Sequence, residues 1–372
     1  MSLPLTALTA LSPGQAIMMF IGGLLIYLAI AKGYEPVLLL PIGFGAIVAN
    51  IPFSSAIGEH GALTLLFETG IMTELFPVLI FIGIGAMIDF GPLIKNPVMM
   101  LYGAAAQFGI FATMIVATLF GFPLNQAAAI GIIGAADGPT TIYVATKLAP
   151  QLLAPLSVAA YSYMSLVPII QPAVIRFLTT PAERRIHMSY EEGPPVSRTA
   201  RILFPIIVTV VAGLIAPISV ALIGLLMFGN LIRECGVLDR LSRTAQQELT
   251  NLVTLLLGIT IGATMEASSF LRIDTLLVLA MGLVAFVFDT AGGVIFAKVL
   301  NLFLRRKVNP MIGAAGISAF PMSGRLVAKM ALAEDPTNYL IMHSIGANVA
   351  GQIGSVIAGG LVLTLVAQGV IG

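Results

Sequence analysis

The stretch GIIGAADGPTTIYVAT, residues 131–146, places one carboxylate, Asp137, between Gly134 and the Gly138–Pro139 step inside an otherwise apolar run. A charge near the centre of a bilayer costs at least about 2.5–3.5 kcal/mol on insertion scales, so it is rarely there by accident. The Gly-Pro step breaks a helix, and Gly138, preceding proline, is biased away from the helical region. Broken backbone at membrane depth is tolerated only where it is buried in protein or lines a watery cavity. A carboxylate beside loose carbonyls is what a cation site needs; a paired structural acid is the competing reading.

The rest of the chain sets that stretch in a membrane. Of 372 residues 58% are apolar and 9% charged, with no Trp and a mean hydropathy of +1.03. A soluble domain carries about 25% charged residues. The chain therefore reads as an all-α polytopic membrane protein with almost nothing outside the bilayer. A net charge of +1 and the lack of a basic stripe argue against nucleic acid as a partner. One cysteine, Cys235, excludes an internal disulfide or a Cys-rich cluster, and His60, His187 and His343 lack zinc-ligand spacing. The opening MSLPLTALTALSPG has no basic leader, so no cleaved signal peptide is expected. No P-loop, GxGxxG, GxSxG or HExxH pattern occurs, so an energy source other than an ion gradient must arrive with a partner.

Apolar segments fall at about 15–31, 36–50, 75–90, 97–120, 126–147 and 155–178, then 202–216, 217–232, 250–269, 274–300, 310–331 and 338–370. Several are shorter than the ~20 residues a full span prefers. The two halves resemble each other. GIGAMIDFGPLIKNP (83–97) parallels GITIGATMEASSFLRID (258–274), with Asp89 on Glu266. GIIGAADGP (131–139) parallels PMIGAAGISAFP (310–321), with Gly134 on Gly313 and Asp137 on Gly316. PVLLLPIGFGAIVAN (36–50) resembles PISVALIGLLMFGN (217–230), giving a period of about 180 residues. The expected organisation is a first membrane repeat over 1–178, a cytoplasmic linker over 179–201 and a second repeat over 202–372.

Loop charges orient the copies. Segment 51–74 holds Glu59, Glu68 and Glu74 without Lys or Arg and belongs outside; its counterpart 233–248 carries Arg233, Arg240 and Arg243 and belongs inside. The uncharged loop 121–125 has a counterpart, 301–309, with Arg305, Arg306 and Lys307. The copies are then antiparallel, the inverted-repeat plan of secondary transporters, whose sites lie at discontinuous helices near the midplane. Crossing parity makes 126–147 a re-entrant hairpin and, by the repeat, 310–331 a second one. About ten spans and two hairpins are expected, with the hairpin tips meeting.

Other polar residues carry two readings each. Ser318, just past the GAAG bend, is a cation ligand or a serine bonded back along its helix. Arg325 suits bidentate capture of a carboxylate, against a snorkelling interfacial arginine. Asn309 is a ligand or the cap before Pro310. Tyr163, in AYSYMSLVP, is an ion ligand, a proton donor or an interface aromatic. Asp289 is a second acid without an assigned role, and Lys147, Lys298 and Lys329 lie near segment ends, where snorkelling is expected.

At GAADGPTTIYVATKLAP (134–150), AYSYMSLVPIIQP (160–172) and NPMIGAAGISAFPMSGR (309–325) the chain resembles the β subunits of the sodium-pumping, biotin-dependent decarboxylases, which act on oxaloacetate, methylmalonyl-CoA, glutaconyl-CoA or malonate. Ala135 stands where that pattern has a second glycine. A start shorter than that of the oxaloacetate members leans towards the CoA-ester branch. The resemblance implies a carboxybiotin decarboxylase of a bacterial or archaeal cytoplasmic membrane that exports sodium and consumes an outer-side proton. It implies biotin, held covalently by a partner, and a sodium ion as cofactors. The partners implied are a carboxyltransferase (α) subunit, a biotin carrier, small γ and δ membrane subunits, lipid and further copies of the chain. By the same resemblance Asp137, Tyr163 and Ser318 share the ion and proton site, Asn309 and Gly313 lie in its second functional stretch, and Arg325 meets carboxybiotin. A sodium-coupled carboxylate symporter without biotin chemistry is the alternative.

Overall fold

In a computed structural model of the chain, which describes residues 6–33, 36–188 and 195–367, every regular element is helical. Residues 1–5, 34–35, 189–194 of the expected linker and 368–372 lie outside the described residues. In chain order the principal helices are α1 Pro13–Lys32, α2 Pro36–Ala49, α3 Leu75–Met87, α4 Met99–Ala106, α5 Phe108–Leu119, α6 Leu124–Gly131, α7 Gly138–Leu148, α8 Leu153–Leu178, α9 Arg198–Ile215, α10 Val220–Glu234, α11 Thr250–Ala263, α12 Ile273–Phe303, α13 Met311–Ala315, α14 Met322–Glu334 and α15 Ile341–Ala367.

Among the described residues six helical segments are long and apolar enough to cross a membrane, or up to eight when two bent pairs each count as one span. That is fewer than the ten expected, because several apolar segments are interrupted. Segment 62–87 bends by 63° after Met72, and α8 bends by 68° at residue 165. Pro168 supplies the cause in α8, since it has no N–H for the Met164 carbonyl.

The helices form a panel and a core. The panel runs side by side in the order α1, α2, α11, α3, α10, α9. Its central contacts depend on glycine. A methyl group on Gly45 of α2 would lie 2.3 Å from the Ile259 carbonyl of α11, and one on Gly262 2.1 Å from the Ile42 carbonyl. Gly85 of α3 and Gly229 of α10 interlock likewise, at 1.8 Å from the Leu226 oxygen and 2.0 Å from the Ile82 oxygen. Small residues let backbones approach where lipid gives no hydrophobic drive between helices. Gly85→Ala is expected to cost about 3 kcal/mol by overpacking. The thermal midpoint of the detergent-solubilised chain reads this directly, with Gly23→Ala, where no atom lies within 4 Å, as the neutral control.

The core packs α12 against α4, α5 and α8, with α15 against α4. Two broken segments, α6–α7 and α13–α14, insert between these long helices. The first enters and returns to one end of the bundle, because Asn125 Nδ2 donates to the Leu148 carbonyl at 2.8 Å. The second returns as well. Asn309 at its start and Asn338 beyond its end both donate to the Ile186 carbonyl, at 3.1 and 2.9 Å. Lys147 and Lys298 do more than snorkel: Lys147 pairs with Glu74 at 2.8 Å, and Lys298 pairs with Glu183 at 3.1 Å and bonds the Leu178 carbonyl.

Candidate functional site

The first break is built from a run of small residues. Helix α6 tightens into a 3-10 turn over Ile132–Ala135, Ala136 turns left-handed at φ 53°, and Asp137 is extended at the cap of α7. The break therefore falls at Ala136–Asp137, two residues before the Gly138–Pro139 step. Gly138 opens the next helix, and Pro139 sits in its first turn, where a missing N–H costs nothing.

Asp137 is 3% exposed and has no basic partner among the described residues. Four donors hold it instead. Thr140 N–H reaches Oδ1 at 3.3 Å; Thr140 Oγ1, Gln352 Nε2 and Ser355 Oγ reach Oδ2 at 2.7, 3.0 and 2.8 Å. The N-terminus of an 11-residue helix adds a favourable dipole. An anion fixed by neutral donors keeps its charge available to a mobile cation, whereas a lysine or arginine would neutralise it permanently. Among the described residues no three His, Cys, Asp or Glu converge on a metal position. A cation at Asp137 would draw its remaining oxygens from hydroxyls such as Thr140 and Ser355 and from carbonyls freed at the break.

The second break touches the first. Ser318 donates its N–H to the Ala135 carbonyl at 3.0 Å and its hydroxyl to the same oxygen at 2.6 Å. The serine thus bonds across to the opposite hairpin and not back along its own helix. Gly313 is buried against α12, where a methyl group would lie 1.9 Å from the Gly293 carbonyl, so its place is a close backbone crossing. Asn309 caps Met311 N through Oδ1 and donates Nδ2 to the Arg184 and Ile186 carbonyls; it clasps residues 184–186 to the hairpin. Tyr163 donates to the Leu279 carbonyl on α12, and the phenol beside the Asp137 turn is Tyr161. Arg325 is exposed, with no ion-pair partner for its guanidinium among the described residues.

The remaining acids separate clearly. Asp89 and Glu266 are exposed at the starts of short helices; Asp89 Oδ1 accepts Gly91 N–H at 2.8 Å. Asp289 is fully buried, its carboxylate against the first backbone N–H groups of α5 at Gly109 and Ile110, and it also touches Gly134 of the first break.

Residues 14–366 match the family model described as the Na+-transporting oxaloacetate decarboxylase beta subunit. The chain belongs to that family. Among curated relatives, this beta-subunit chain is 50% identical to the glutaconyl-CoA decarboxylase subunit beta of Acidaminococcus fermentans, over 95% of this chain and 93% of that one. It is 48% identical to the methylmalonyl-CoA decarboxylase subunit beta of Propionigenium modestum, over 97% of each. It is 44% identical to the oxaloacetate decarboxylase beta chain of Klebsiella pneumoniae, over 96% of each. The beta-subunit resemblance expected from the three motifs is borne out.

Three residues of this beta subunit's site escaped the sequence reading: Asn348, Gln352 and Ser355 on α15. Asn348 donates to the Ile317 carbonyl of the second break at 2.7 Å, while Gln352 and Ser355 hold Asp137 in the first. One helix thereby ties both breaks. The signal was present in the chain, since polar residues at i, i+4 and i+7 of an apolar helix share one face.

Proposed function

We propose that this beta subunit decarboxylates carboxybiotin presented by a partner biotin carrier, consumes a proton from the outer side and exports sodium, with Asp137 as the exchange site. The observation that carries the reading is the convergence of four neutral donors, and no basic side chain among the described residues, on a buried carboxylate at a helix break. Asp137 neutralises its charge with a proton or with sodium, and the two compete for it. Giving a proton towards biotin ionises Asp137 and recruits sodium; a proton from outside expels it. Moving one charge against ~100 mV costs about 2.3 kcal/mol, which decarboxylation must offset for each net charge moved. Arg325, exposed just past the second break, is the group for the carboxylate of carboxybiotin.

Two inverted repeats, over 1–178 and 202–372, provide alternating access in this reading. The helix panel supports it, because its order is unchanged when the copies are exchanged. So do paired side chains. Asn50 donates to the Met265 carbonyl before Glu266, and Asn230 to the Ile88 carbonyl before Asp89. Gln171 of the first copy bonds Ala314 and Ser323 in the second hairpin, and Gln352 of the second bonds Asp137 in the first. In this reading the chain lies in a bacterial or archaeal cytoplasmic membrane with residues 179–201 inside. It assembles with a carboxyltransferase subunit, a biotin carrier, small γ and δ subunits and further copies of itself.

A biotinylated polypeptide is expected to co-purify with the chain, read by an avidin blot. Its absence, together with sodium-driven carboxylate uptake by the chain alone, would replace this reading with a symporter. The shared site has its own test. Ser318→Ala is expected to raise the sodium concentration for half-maximal decarboxylation about tenfold, since it removes one of the two hydrogen bonds to the Ala135 carbonyl and loosens the junction of the two breaks. An unchanged sodium dependence separates Ser318 from the ion path.

A further inference from the structure

A phenol taken out of water needs a partner for its hydroxyl. Tyr161 is 2% exposed, and its hydroxyl has no hydrogen-bond partner among the described residues. The ring lies directly against the residue after Asp137. A methyl group on Gly138 would sit 2.4 Å from Cε1 and Cζ of Tyr161 and 2.8 Å from its hydroxyl oxygen. Glycine is thus required at 138 to admit the phenol to the turn. Asp137 has an asymmetry that matches. Oδ2 takes three side-chain donors, whereas Oδ1 takes only the 3.3 Å contact from Thr140 N–H. A carboxylate oxygen has two lone pairs, so Oδ1 keeps unused capacity. No Lys, Arg or His pairs with Asp137 among the described residues; of the other titratable groups at this hairpin, Asp289 lies against Gly134 and Tyr163 is turned to Leu279, while further along α7 Tyr143 donates to the Ile218 carbonyl and Lys147 pairs with Glu74.

We propose that Tyr161 is a positioning residue for Asp137 whose hydroxyl reverses direction with the state of the carboxylate. It donates to Oδ1 when Asp137 is ionised. It accepts from the carboxyl proton when Asp137 is neutral, and it turns a lone pair to the cation when sodium is bound. A hydroxyl is donor and acceptor at once and rotates to suit, so one group serves all three states without moving its ring. The inference rests on Asp137 being the exchange site. Losing the hydroxyl weakens all three states, but most the ionised and sodium-bound forms, where it meets a full charge, so the proton competes better with sodium.

In the assembled decarboxylase, Tyr161→Phe is expected to raise the sodium concentration for half-maximal turnover about tenfold at pH 6, with the defect shrinking as pH rises and the proton ceases to compete. A role in packing alone, which phenylalanine fills, leaves both the half-saturation and its pH dependence at wild-type values, and that result overturns the proposal. Should the variant turn over too slowly to measure, the sodium-induced rise in thermal midpoint of the solubilised complex gives the same half-saturation without catalysis. Asp137→Asn separates the two levels of failure. If it keeps the wild-type sodium response, the exchange-site reading falls and this inference with it. If it loses that response while Tyr161→Phe matches wild type, this inference alone falls.

Discussion

Asp137→Asn is expected to abolish sodium-stimulated decarboxylation, by at least about a thousandfold, and sodium transport with it. The amide keeps the shape and can still accept from Thr140 and Ser355, so the hairpin is expected to fold. What it loses is the negative charge, without which no proton is exchanged and no sodium is neutralised. Gln352, which donates to Oδ2, faces an amide that can offer its oxygen to only some of the donors gathered there. Asp137→Glu is expected to keep partial activity where the extra methylene fits. The measurement is carboxybiotin-dependent CO2 release with and without sodium, and persistent sodium stimulation in the Asn variant removes Asp137 from the mechanism.

Arg325 has the second-largest expected effect. Its guanidinium is exposed and lacks an ion-pair partner among the described residues, so it is free to meet an arriving carboxylate. If capture is bidentate, Arg325→Lys is expected to lose nearly as much as Arg325→Ala, about a hundredfold in kcat/KM, because a point charge does not replace a planar fork. Sodium half-saturation of the residual activity stays at the wild-type value. A lysine variant with normal decarboxylation makes Arg325 an ordinary surface cation.

How far the sequence could be read depends on the kind of residue. Asp137 stood out because a carboxylate in an apolar run has few structural excuses. That the two breaks meet was expected from the likeness of the chain's two halves, and Ser318 joins them through its two bonds to Ala135. Asn309 resisted assignment because an asparagine before proline is chemically suited to both a cap and a ligand; its cap and its clasp on residues 184–186 appear only in three dimensions. Arg325 carried two readings, capture and snorkelling; helical periodicity turns it outward one residue before Leu326 packs inward. Tyr161 and Tyr163 lie two residues apart in one helix, so they point in widely different directions. Which of them faces Asp137 follows from the rotation of α8, a quantity that no local pattern records.

The alternation within the panel has a consequence for how the protein is made. Helix α2 has its long neighbour in α11, and α3 has its own in α10 and α11, so the grooves around Gly45 and Gly85 are completed by chain that emerges much later. At ~5–20 residues per second, roughly ten to forty seconds of synthesis separate α2 from α11. Throughout that interval the first half sits in lipid with its glycine seams open and the Asn50 amide lacking the Met265 carbonyl. The nascent half is therefore expected to be open to insertion factors and membrane proteases, and a chain truncated before residue 250 is expected to be degraded faster than the full chain in a pulse-chase measurement.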